Sequence, residues 1–384
     1  MQHIDQMLFG LFLLFAAAKL AGEIFERLGQ PEVVGEILAG LILGPHALGW
    51  VHSGEFLDAI AQLGVIVLLF SVGLETQVGD LRKSGIAATR IAVYGATLSM
   101  LFGVGIGHLA GMALTPSLFL GTAIAATSAG VTSRVLSDMG ALSSRPGRLI
   151  VPAAVVDDIL GLLIFAVVYG VGRGSVHWEY VVIALVSAVA FIAIVAIGGA
   201  YILREHPRIL HRPQIKEGPF ILALILCLGL SALASRIGLA AIIGAFIAGV
   251  IVAETREQND IDQQIKPVYA FLVPFFFIVT GMKADISAFA DMHLILVGLG
   301  ITFLAIVGKV VGCGLGALRE GKDVALAVGV GMVPRGEVGL IVAGIGLSQG
   351  ILDARLCTVV VMVVIITTIV TPSLLKRCIT RVTG

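Results

Sequence analysis

Long apolar segments separated by short polar loops run through almost the whole chain. Apolar stretches of about 18–25 residues are typical of helices that cross a lipid bilayer. The pattern predicts about 13 such helices, although the second and ninth are short enough that 12 would also fit. The predicted ranges are 6–28, 31–44, 57–75, 84–112, 116–140, 144–171, 177–204, 217–236, 238–255, 265–282, 290–317, 322–349 and 353–379.

The composition agrees with a chain that lies almost entirely in the membrane. Of its 384 residues, 58% are hydrophobic and only 13% are charged, whereas soluble domains carry about 25% charged residues. The pattern therefore predicts an all-α polytopic membrane protein, with 1–384 as a single membrane domain. The formal net charge is zero, so there is no electrostatic basis for binding nucleic acid. Lys19 and Glu23 lie inside the first segment at a spacing that predicts an i,i+4 pair.

The basic residues of the loops predict the orientation. Cytoplasmic loops of membrane proteins carry an excess of Lys and Arg. Here alternate loops are basic, so we expect the N-terminus outside, the C-terminus inside and an odd number of helices, which favours 13. A bacterial cytoplasmic (inner) membrane is the expected location. The basic loops contain Arg82, Lys83, Arg145, Arg148, Arg204, Arg208, Arg212, Lys216, Arg256, Lys266, Arg319, Lys322, Lys376, Arg377 and Arg381.

The two halves of the chain resemble each other at an offset of about 209 residues. VVGEILAGLILG at 33–44 matches IIGAFIAGVIVA at 242–253, and SVGL at 71–74 matches VTGM at 279–282. The offset also places Thr127 near Arg335. We therefore predict a first repeat at 6–171, a linker helix at 177–204 and an inverted second repeat at 217–379. Inverted repeats are common in secondary transporters, which bind ions near the bilayer midplane at broken helices.

Two predicted helices contain polar interruptions. GTAIAATSAGVTSRVL, at 121–136, holds Thr127 and Ser128. GVGMVPRGEVGLIVAG, at 329–344, holds Arg335 and Glu337 beside a proline and several glycines. Proline removes a backbone donor, and glycine tolerates the resulting irregular geometry. Both stretches predict discontinuous helices whose half-helix dipoles meet near one point.

Two adjacent acids lie inside the apolar run VPAAVVDDILGLLIFAVVYG at 151–170. A charge at the bilayer centre costs roughly 2.5–3.5 kcal/mol, so such residues are commonly functional. Asp157 and Asp158 lie about 100° apart around a helix and face different groups. Lys309, in the second half, is a suitable partner for Asp157. Asp158 would then face a cavity and take either a proton or a cation, with Thr127 as a second oxygen ligand for Na⁺.

The chain resembles bacterial sodium/proton antiporters of the monovalent cation:proton antiporter-2 family over nearly its whole length, and four motifs carry the resemblance. The resemblance implies the Na⁺/H⁺ antiporter fold, with 13 helices and two crossed discontinuous helices. It also implies that Asp158 binds the ion, that Asp157 pairs with Lys309, and that Thr127 and Ser128 lie in the first break, with Arg335 and Glu337 in the second. The motifs are ATSAG at 126–130, VVDDILGL at 155–162, GKVVG at 308–312 and GMVPRGEVGLI at 331–341.

The resemblance further implies a homodimer in membrane lipid. Its dimerisation helices would lie at about 6–75 and 217–282, and its mobile core helices, which move like an elevator, at about 84–171 and 290–379. The expected activity is exchange of Na⁺, and of Li⁺, for H⁺ without a cofactor. Two protons per Na⁺ would make the exchange electrogenic.

Several alternatives remain open at this point. They are a K⁺/H⁺ antiporter or cation channel of the same fold, and a Na⁺-coupled solute symporter. An intramembrane aspartyl protease is disfavoured, because such an enzyme needs two acids on different helices that face each other, whereas Asp157 and Asp158 are adjacent. Glutathione-gated potassium relatives carry Gln-Asp and a nucleotide-binding domain, whereas this chain has Asp157-Asp158 and is expected to have no such domain.

Overall fold

A computed structural model of the chain describes residues 2–52, 54–76, 78–172, 217–255, 258–283 and 292–383, with scattered residues between 179 and 195. These residues form fourteen α-helices and one 3-10 helix at Leu318–Glu320, which confirms the all-α prediction. The helices are α1 (Gln2–Arg27), α2 (Glu32–Leu43), α3 (Glu55–Leu74), α4 (Val78–Leu109), α5 (Leu114–Ala125), α6 (Ala129–Asp138), α7 (Arg145–Gly172), α8 (Gly218–Arg236), α9 (Ala241–Ala253), α10 (Gln258–Met282), α11 (Met292–Ala317), α12 (Lys322–Gly331), α13 (Glu337–Ser348) and α14 (Ala354–Thr383).

Nine helical segments in the described part of the chain are long and apolar enough to cross a membrane. The short helices α2 and α9, of 12 and 13 residues, are separate elements, as the sequence predicted. The predicted linker helix at 177–204 falls mostly outside the described residues. The protein is therefore a multi-pass membrane protein.

The two polar interruptions are both breaks between half-helices. In the first break, α5 ends at Ala125 and α6 begins at Ala129. In the second break, α12 ends at Gly331 and α13 begins at Glu337. The intervening segments touch, because the main-chain N–H of Ser128 donates to the carbonyl of Pro334 at 2.7 Å. The two discontinuous helices thus cross at their breaks.

The internal repeat is visible in the way the helices pack. The Cα of Gly40 lies so close to the carbonyl of Ile278 that a methyl group there would overlap it, and Gly249 meets the carbonyl of Phe70 in the same way. The offset from Gly40 to Gly249 is 249 − 40 = 209, and that from Phe70 to Ile278 is 278 − 70 = 208. Each repeat therefore makes the same close contact with the other, as two inverted copies would.

The helices fall into two groups by their contacts. The first group contains α1–α3 and α8–α10, and the second contains α4–α7 and α11–α14. Contacts between the groups run chiefly from α6 and α14 to α2 and α3. Both crossed breaks belong to the second group, which therefore carries the polar centre of the molecule.

Candidate ion-binding site

A buried ion pair joins α7 to α11. Lys309 Nζ lies 2.8 Å from Asp157 Oδ1, and the two side chains are 0% and 1% exposed. One turn along α11 from Lys309, Gly312 packs directly against the main chain of Tyr94 on α4. Glycine permits this approach because it has no side chain to separate the helices. One of the two adjacent acids is thus neutralised inside the protein.

The other acid, Asp158, lines a cavity of about 150 Å³ and is partly exposed to it. Thr127 and Ser128 of the first break line the same cavity, as does Arg335 of the second. The structure therefore brings four of the predicted site residues together around one cavity, which is large enough for a cation and several water molecules.

The cavity extends from Asp158 to one end of the helix bundle. Its rim there includes Asp58, near the start of α3, and Lys283, just after α10. These two side chains form an ion pair at 2.7 Å and are each nearly half exposed. This is the end that the distribution of Lys and Arg predicts to be extracellular, so the cavity connects Asp158 with the predicted outer face.

The hydroxyl of Thr127 is fixed by the second break. Thr127 is 5% exposed, and its Oγ1 donates to the carbonyl of Met332 at 3.3 Å. A hydroxyl oxygen that donates its one proton keeps acceptor capacity for another group. Thr127 can therefore offer an oxygen to a cation beside Asp158.

Arg335 lies against the end of a half-helix. Its guanidinium donates to the carbonyls of Met332 at 3.3 Å, Val333 at 2.8 Å and Ala305 at 3.1 Å. It is 1% exposed. The carbonyls at the C-terminal end of a helix carry partial negative charge, so Arg335 compensates the end of α12.

Glu337 begins α13 at the far side of the second break. Its side chain lies outside the described part of the structure, so its predicted coupling role remains a prediction. Together with Arg335, it marks the two sides of the break, one at the C-terminal end of a half-helix and one at an N-terminal end.

The predicted pairing of Lys19 with Glu23 is wrong. Lys19 Nζ lies 3.7 Å from Glu32 of α2, whereas Glu23 pairs with Arg27 at 2.7 Å. The tight turn between α1 and α2 brings Glu32 beside α1, and an argument confined to one helix does not detect that contact.

Sequence reasoning also missed two ionisable residues at the end of the bundle opposite the cavity rim, Arg134 on α6 and Glu36 on α2. Both are fully or almost fully buried. The signal was present, since each is an ionisable residue inside a predicted membrane helix.

Known proteins place this arrangement in a family. The family described as "Sodium/hydrogen exchanger, transmembrane" matches residues 11–380. The chain belongs to this exchanger family. Its members found by comparison are cation/proton antiporters, so the protein is a secondary transporter rather than an enzyme.

Two relatives of the exchanger family match nearly end to end. The chain is 35% identical to the Na⁺/H⁺-K⁺ antiporter GerN of Bacillus cereus, covering 97% of this chain and 96% of that one. It is 33% identical to the high-affinity Na⁺/H⁺ antiporter NhaS3 of a Synechocystis strain, covering 96% and 89%. Among solved structures, the sodium proton antiporter MjNhaP1 of Methanocaldococcus jannaschii matches with a TM-score of 0.68 at 18% identity over 100% of both chains. That likeness confirms the antiporter fold.

Proposed function

We propose that the protein exchanges Na⁺, and also Li⁺, for H⁺, and that the cation and the proton compete for Asp158. One observation carries the proposal. Of the two adjacent acids, Asp157 is committed to Lys309, whereas Asp158 faces the cavity beside both helix breaks. The names of the two relatives, both Na⁺/H⁺ antiporters, support the same exchange.

The oxygen atoms around the cavity suit a small hard cation. Na⁺ would be bound by the carboxylate of Asp158, the hydroxyls of Thr127 and Ser128, main-chain carbonyls at the breaks and water. A proton on Asp158 removes the negative charge and with it the main attraction for the cation. An ionised and empty carboxylate is costly to move through the bilayer. Only the protonated or the cation-loaded protein therefore changes state, and this rule couples the two fluxes.

Alternating access follows from the two groups of helices. In this proposal the second group, α4–α7 and α11–α14, carries Asp158 past the first group, α1–α3 and α8–α10, as an elevator. The first group forms a homodimer in the bacterial inner membrane. The conformation described here is open to the predicted outer face, because the cavity reaches the rim at Asp58 and Lys283. The exchange is electrogenic if the Asp157–Lys309 pair also releases a proton when Na⁺ binds.

Potassium is the second candidate cation, because the printed name of GerN includes K⁺ as well as Na⁺. Carboxylate and hydroxyl oxygens accept either ion. A channel or a Na⁺-coupled solute symporter of the same fold would carry Na⁺ without an opposing proton flux, so proton movement separates both from antiport.

The test measures internal pH in everted membrane vesicles. With the normal sequence, addition of Na⁺ or Li⁺ to acidified vesicles is expected to release protons, and K⁺ is tested alongside. Asp158→Asn is expected to abolish this release. The matched control is Asp353→Asn, on an exposed loop where the side chain caps α14 by accepting from Leu356 N, because asparagine caps equally well. Normal exchange in Asp158→Asn would refute the proposal.

A further inference from the structure

A cluster of ion pairs closes the end of the bundle opposite the cavity rim. Arg134, on α6, places Nη2 3.0 Å from Glu32 of α2 and Nε 2.8 Å from Asp138. Lys19 Nζ, on α1, lies 3.7 Å from the same Glu32 oxygen, Oε2. These contacts join α6, of the second helix group, to α1 and α2, of the first. The Arg134 side chain is only 5% exposed, so the seam between the groups is closed here.

Glu36 lies four residues into α2 from Glu32, about 6 Å deeper along the helix. It is 0% exposed, and neither of its carboxylate oxygens has a hydrogen-bond partner among the described residues. The cluster already pairs its two cations, Lys19 and Arg134, with two acids, Glu32 and Asp138. Glu36 is thus a third acid. Because an ionised carboxylate without hydrogen bonds is very costly to bury, Glu36 holds a proton in this conformation.

The internal repeat indicates that packing alone does not require this carboxyl group. The offset of 209 places Ala245 of α9 at the position of Glu36, and Ala245 is also 0% exposed. The preceding residues, Gly35 and Gly244, each meet the main chain of the neighbouring helix in the same way. The second copy of the fold therefore fills this position with a methyl group.

The charged and titratable groups at this end of the bundle, on the helices around Glu36, come from five helices. Opening this end separates Arg134 from α2 and admits water to Glu36, and a hydrated carboxyl group ionises far more readily than a buried one. Opening therefore releases a proton, so low pH favours the closed seam and high pH favours the open one. The groups are Lys19 on α1, Glu32 on α2, Arg134 and Asp138 on α6, Tyr269 on α10, whose ring centre lies 5.2 Å from Arg134 Cζ, and Lys376 on α14, whose Nζ donates to Gly29 O at 2.8 Å.

We propose that Glu36 is a proton-binding site separate from the ion site, and that its proton keeps this end of the transporter closed. The predicted orientation makes this the cytoplasmic end, so Glu36 senses cytoplasmic pH. The inference depends on alternating access in the proposed function, but not on which cation is carried.

The test measures how fast a thiol reagent reaches α6. In a variant without the four native cysteines, Ser133→Cys places a thiol next to Arg134 at a position that is 2% exposed. Its labelling rate is divided by that of Lys322→Cys, an exposed position on the same side, to correct for thiol reactivity. For purified protein in lipid, this ratio is expected to rise about tenfold between about pH 6 and about pH 7, because release of one proton on opening changes the equilibrium about tenfold per pH unit.

Three variants at position 36 test whether the rise in labelling with pH requires the carboxyl group of Glu36. Glu36→Gln, and Glu36→Ala, which copies the second repeat, are expected to keep the ratio at its low value at both pH values. Glu36→Asp is expected to retain the rise. A rise of normal size in the Gln and Ala variants, rapid labelling at both pH values in those variants, or an unchanging ratio with Glu36 present would each overturn the inference. The labelling assay does not require transport. Its outcome can therefore be interpreted even if the Asp158→Asn exchange assay contradicts the proposed function.

Discussion

Replacing Lys309 with methionine keeps the length of the side chain and removes the charge that faces Asp157. The two groups are 2.8 Å apart and 0% and 1% exposed, and Asp157 Oδ2 has no hydrogen-bond partner among the described residues. Removing one partner of such a pair costs about 3–5 kcal/mol because the remaining charge stays buried. That corresponds to roughly two to four powers of ten in the unfolding equilibrium.

The assay is thermal unfolding of the purified protein in detergent. Lys309→Met is expected to unfold at a clearly lower temperature than the normal protein, because the Asp157 carboxylate stays buried without the cation that faces it. The double variant Asp157→Asn/Lys309→Met carries no buried charge at the pair and should recover most of the stability that Lys309→Met loses. Lys322→Met, at an exposed position, is the matched control. A Lys309→Met protein as stable as the normal one, or a double variant less stable than the single variant, would refute the reasoning.

Two further predictions concern coupling and packing. If Lys309 supplies the second proton, Lys309→Gln makes exchange electroneutral and removes the driving force of about 2.3 kcal/mol per charge per 100 mV; unchanged dependence of vesicle exchange on an imposed potential would contradict this. Gly40→Ala overlaps the main chain of Ile278 and should lower stability by about 1–3 kcal/mol. Gly344→Ala, with open space around it, is the control, and equal thermal midpoints for the two variants would argue against the packing account.

Much of the architecture was predictable because the bilayer imposes strong constraints on sequence. Every backbone group must be paired inside a helix, so apolar length marks the helices. Irregular backbone at membrane depth needs a polar or protein-lined environment, so the sequences around Thr127 and Pro334 marked the breaks correctly. The offset of about 209 was also informative, because glycines such as Gly40 and Gly249 are required at equivalent close contacts.

The contacts between distant helices were not predictable in the same way. Arg134 bonds to Glu32, 102 residues away, and no periodicity within one helix indicates that contact. The guanidinium of Arg335 donates hydrogen bonds to carbonyls of α11 and of the second break, which depends on how the broken ends are arranged. The pairing of Asp157 with Lys309 was predicted because both are charged residues inside apolar segments, and the family resemblance implied the same pair. The proximity of Glu36 to the Arg134 cluster, in contrast, required the three-dimensional arrangement.

The account depends above all on exclusive occupation of Asp158 by Na⁺ or H⁺. The most direct measurement adds Na⁺ to the purified transporter in weakly buffered solution and follows the pH, with calorimetry to detect binding. Na⁺ is expected to release protons saturably from the normal protein and to release none from Asp158→Asn. Binding of Na⁺ without proton release, or equal release from the Asp158→Asn protein, would contradict the account.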